Sequence, residues 1–210
     1  MSNLWLVDIE NPLLTEAALA RIDDGALPDR LTWNTFQTLA LWDPDVWVPR
    51  FVELACGEGS ALEALEWSGS SVRPWGASLR HPGTTDVVIE GPEALIVAVA
   101  TLNPDPTVDD VRASALEALG ETRGPDGQVG FVMVVPPGTP DLGPWLEVAS
   151  EDLAPVEGRM DVIAGSSGWL TWHELGELAL DLAEESDELR GEAVHRLVTQ
   201  IQEQFPDAEL

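Results

Sequence analysis

The sequence predicts an α/β (or α+β) fold, a mixed central sheet of about four to five strands flanked by helices. Three observations predict it. Residues 11–67 carry apolar side chains at helical spacing, residues 71–102 change to short strand-like runs punctuated by Gly and Pro, and Val129 to Val135 is almost wholly apolar. A run of the last kind is what a strand buried on both faces looks like, and it belongs at the sheet centre.

Each element follows in order. Asn11-Pro12 offers a cap and a first helical residue, and Leu14, Ala18 and Ile22 recur at four-residue intervals, so a short helix opens the chain. Asp23-Asp24-Gly25 breaks it. Thr32 to Trp42 reads as a second helix. A third, to Ala55, starts from Asp43-Pro44 with Trp47, Phe51 and Leu54 on one face, and Gly57 and Gly59 end it. Ser60-Ala61-Leu62-Glu63 has the capping-box pattern and predicts one more short helix to Trp67.

Strands are expected at Val72 to Leu79, Asp86 to Glu90 and, after the turn at Gly91-Pro92, Leu95 to Leu102; such close succession makes an antiparallel meander. Thr107 to Asp110 starts a helix with acid in its first turn, and Val108, Val111, Ala115 and Leu119 form its apolar stripe. Asp161 to Leu170 predicts a strand interrupted by Gly165-Ser166-Ser167-Gly168. Thr171-Trp172-His173-Glu174 is a second capping box, opening a helix with Leu175, Leu178 and Leu182 inward. A last helix, Asp187 to Gln204, turns Leu189, Ala193, Leu197 and Ile201 inward. The expected organisation is one domain: a helical layer over 1–67, a sheet core over 71–135, a loop over 136–155 with one turn around Trp145, and a strand with helices over 161–205. The loop is the strongest linker candidate.

Composition removes whole classes of chemistry. Thirty-eight acidic residues face ten basic ones for a net charge of −28, and every basic residue is Arg. Without Lys there is no P-loop, Schiff-base enzyme or Ser-Lys dyad, and without Tyr no tyrosine nucleophile. A nucleic-acid binder must supply cations to displace counterions, so direct binding to DNA, RNA or anionic lipid is disfavoured. Two readings of the acidity stand: a solubilising surface of a salt-adapted or high-GC organism, or mimicry of DNA, with spaced carboxylates in place of phosphates. The 44% hydrophobic content is enough to build a core despite that charge. One cysteine, Cys56, with His81, His173 and His195 scattered, makes neither a disulfide nor a zinc site. No apolar run is long enough to span a bilayer, and the expected location is cytoplasmic.

Thr84-Thr85-Asp86-Val87-Val88-Ile89-Glu90, followed by Leu95-Ile96-Val97-Ala98-Val99-Ala100, resembles the PD-(D/E)XK nuclease-like superfamily over residues 30–180. The resemblance implies an αβββαβ core in which a carboxylate on the second strand and a Glu-x-Lys on the third hold a divalent metal. Asp86 falls at the first carboxylate. Ala98 and Ala100 fall where Glu and Lys would be. Thr171 to Leu175 also resembles the strand-to-helix element that follows the core in some bacterial members. Methyl groups neither ligate a metal nor steady developing charge, so the resemblance implies a degenerate, non-catalytic domain. It would act as a protein-interaction or regulatory module in bacterial defence or genome maintenance.

Other residues are candidate sites as well. Asp86 and Glu90 share a strand face and, with Glu53 brought in from the helix, would bind magnesium or manganese if the ligands had migrated; an exposed acidic row is the plainer reading. His173 is expected to serve a local capping role and His81 to sit in an exposed turn. Cys56 ends a helix, where the dipole disfavours a thiolate, and is expected to be packed rather than reactive. Trp33, Trp42, Trp47, Trp67 and Trp75 are expected to weld the helical layer to the sheet, with a subset free to form an interface. Arg73 with Arg80, and Arg190 with Arg196, read as surface ion-pair partners. The partner expected is another protein with a basic surface, or a second copy in a homodimer.

Overall fold

The computed structural model describes residues 27–74, 87–111, 113, 128–146, 162–184 and 188–207. The first expected helix, Trp75, Arg80, His81 and Asp86 lie outside the described residues, as do most of the helix begun at Thr107 and the second half of the loop. Four longer helices and five strands follow in chain order: α1 (Leu27–Leu39), α2 (Pro44–Cys56), β1 (Ser71–Pro74), β2 (Val87–Glu90), β3 (Ala94–Ala100), β4 (Gln128–Val135), β5 (Val162–Thr171), α3 (Trp172–Ala183) and α4 (Glu188–Gln204).

One mixed sheet runs β1-β2-β3-β4-β5. The first three strands form the expected antiparallel meander, and β3, β4 and β5 are parallel. Side-chain alternation splits the core into two faces. Val87, Ile89, Ile96, Ala98, Val132, Val134 and Leu170 point toward all four helices. Val88, Leu95, Val97, Val99, Phe131, Met133 and Val135 point the other way, toward Val111, Leu142 and Leu146. The middle strand is β3; β4, expected there, is its interior neighbour and is indeed buried on both faces.

Helix α1 begins at Leu27, five residues before the expected Thr32, because Pro28 is tolerated in a first turn, where its missing N–H costs nothing. It ends at Leu39, where Leu41 and Trp42 tighten onto Thr38 and Leu39 carbonyls at 3.1 Å each. Asp43 then caps α2 as expected, its carboxylate accepting from the Asp45 N–H at 3.2 Å. Trp47, Val48, Phe51, Val52 and Ala55 make the buried face of α2, so Leu54, expected inward, is displaced to solvent. Leu189 likewise points out at the start of α4, and Val194 and Val198 join Ala193, Leu197 and Ile201 inside. The last two helices therefore complete the core.

Three further expectations change. Residues 61–65 form turns and a bend rather than a helix, and the Leu62 carbonyl accepts from both the Leu65 N–H at 3.4 Å and the Trp67 indole N–H at 3.0 Å. Residues 136–146 are not a free linker. Parallel β4 and β5 require a connection across a sheet face, and Leu142 and Leu146, one helical turn apart, fasten it there at 0% and 3% exposure. The Gly165 to Gly168 stretch does not interrupt β5. Between the pairs Val129↔Val162 and Phe131↔Ser167, β4 advances two residues and β5 five, so the extra residues are absorbed as an irregularity within a continuing strand.

Candidate functional site

Glu90 ends β2 on the face shared with Val88, and its carboxylate pairs with Arg73 diagonally across the β1–β2 ladder. Glu53 lies on the exposed side of α2, which packs on the opposite face of the sheet. The structure therefore does not bring Glu53 to Glu90: strand alternation sends Glu90 away from the helical layer that carries Glu53. Asp86 is outside the described residues. Among the described residues no three His, Cys, Asp or Glu side chains gather as a metal site.

Ala98 pairs with Val87 across the β2–β3 ladder and is 1% exposed, enclosed with Ile89, Ile96 and Val134 beneath the helices. Ala100, on the same face, packs against that cluster. The positions that the resemblance assigns to Glu and Lys thus hold methyl groups in an apolar layer. A carboxylate at 98 would lose its hydration among the apolar neighbours described there.

The parallel half ends in a second group of polar residues. Thr171 Oγ1 and Glu174 close the expected capping box: the Glu174 N–H donates to Thr171 Oγ1 at 3.2 Å and the Thr171 N–H to Glu174 Oε2 at 2.6 Å. The Trp172 indole N–H donates to the Thr101 carbonyl at 3.0 Å, tying the start of α3 to the end of β3. His173, expected to cap, instead faces Glu177 one turn along, Nε2 3.4 Å from Oε1. No nucleophile stands beside it among the described contacts. The strand order β3-β4-β5 runs in one direction, and its two connections place Val111, Leu142 and Leu146 on one face. Connections leaving on opposite faces are what open a ligand crevice in an α/β sheet; this half has none between its described strands.

Cys56 ends α2 as expected. Burial pushes its thiol up to about 11, so it stays protonated through the neutral range and is a packing residue rather than a nucleophile. Trp33, Trp47, Trp67 and Trp172 are buried and Trp42, Trp145 and Trp169 half-buried, so none of the described tryptophans offers an open indole face. Arg73 and Arg196 are ion-paired, with Glu90 and Glu192, as expected; Arg190 lies over the Trp42 ring, 5.6 Å from its centroid.

Two features were not read from the sequence. Gly168 lies directly against the Ala55 carbonyl and the Cys56 N–H at the end of α2; a Gly within a strand is the signal for such a close approach. The second is the exposed stripe of Val46, Arg50 and Leu54 on α2.

Fold and geometry together define a mixed α/β protein with a layer of helices packed on one face of its sheet. No family model matches the chain, no curated protein matches it, and no solved structure matches it. No helix among the described residues is long and apolar enough to cross a membrane.

Proposed function

We propose that the chain is a non-catalytic domain of nuclease-like topology that acts in the cytoplasm as an interaction or regulatory module for a protein with a basic surface. The observation that supports this reading is Ala98, a methyl group 1% exposed under the helices, at the position to which the resemblance would assign a metal-ligating oxygen. An antiparallel meander followed by a connection to a parallel fourth strand is consistent with the topology. The net charge of −28 supports a cationic partner, because long-range attraction sets encounter rates before any contact forms.

The test has two arms. Purified protein with supercoiled plasmid and magnesium or manganese is expected to leave the plasmid intact; metal-dependent scission that Asp86→Ala abolishes would overturn the reading in favour of migrated ligands. Affinity capture from the cells that make the protein is expected to return a basic protein at about 0.1 M salt and lose it near 1 M, where the Debye length falls to about 3 Å.

A further inference from the structure

We draw no further inference here: the strongest candidate, the outward face of α2 where Val46, Arg50 and Leu54 are exposed, is a small surface patch, and nothing in the structure shows what covers it.

Discussion

A missing side chain decides one of the closest contacts in the molecule. A Cβ at Gly168 would fall inside the Ala55 carbonyl and against the Cys56 N–H, and backbone, unlike the end of a flexible side chain, does not move aside. Helix α2 is held to β5 at that point, so Gly168→Ala is expected to destabilise the fold by about 3 kcal/mol, the upper range for overpacking. Urea unfolding would read this as a lower midpoint with an unchanged slope. By contrast Gly57, whose φ of 83° favours glycine at the end of α2, has open space around it and would show only the backbone cost. Sequence flagged the first glycine only as a break in a strand, because what it abuts comes from a helix more than a hundred residues earlier.

Two similar motifs behave differently at the level of elements. Thr171-x-x-Glu174 starts a helix and Ser60-x-x-Glu63 does not. Glu174 reaches back to the Thr171 N–H and Oγ1, and Leu175, Leu178 and Leu182 give the following turns a face to bury. Glu63 instead reaches Gly59, one residue too early, and Trp67 uses its indole N–H on the Leu62 carbonyl and its backbone N–H on Asp45 Oδ1. Those bonds replace helix with turns and plug the core with a fully buried indole. Thr171→Ala is accordingly expected to cost about 1 to 2 kcal/mol, a cap loss measurable by chemical denaturation. The same elements show what the candidate site owed to sequence. Strands β2 and β3 were legible as short apolar runs set apart by the Gly91-Pro92 turn, whereas the separation of Glu53 from Glu90 depends on which face α2 covers, and no local periodicity encodes that.

Across the whole molecule the charge acts against compactness. Thirty-eight acids and ten bases on one folded chain repel at low ionic strength, and few described ion pairs offset that. Raising salt from about 0.01 M to 1 M shortens the Debye length from about 30 Å to about 3 Å. Thermal melts are therefore expected to show a midpoint several degrees higher in 1 M than in 0.01 M sodium chloride; a midpoint unchanged by salt would mean that the acids lie too far apart to repel. The sequence by itself determined the alternation of helices and strands, the antiparallel meander, the doubly buried β4 and the lack of a lysine, because each is written in local spacing or composition. Only the tertiary structure decided that Ala98 is enclosed beneath the helices, that Leu54 faces solvent and that residues 136–146 are fastened to the sheet. Those outcomes depend on which surfaces meet, and burial is a property of pairs of distant segments rather than of either segment alone.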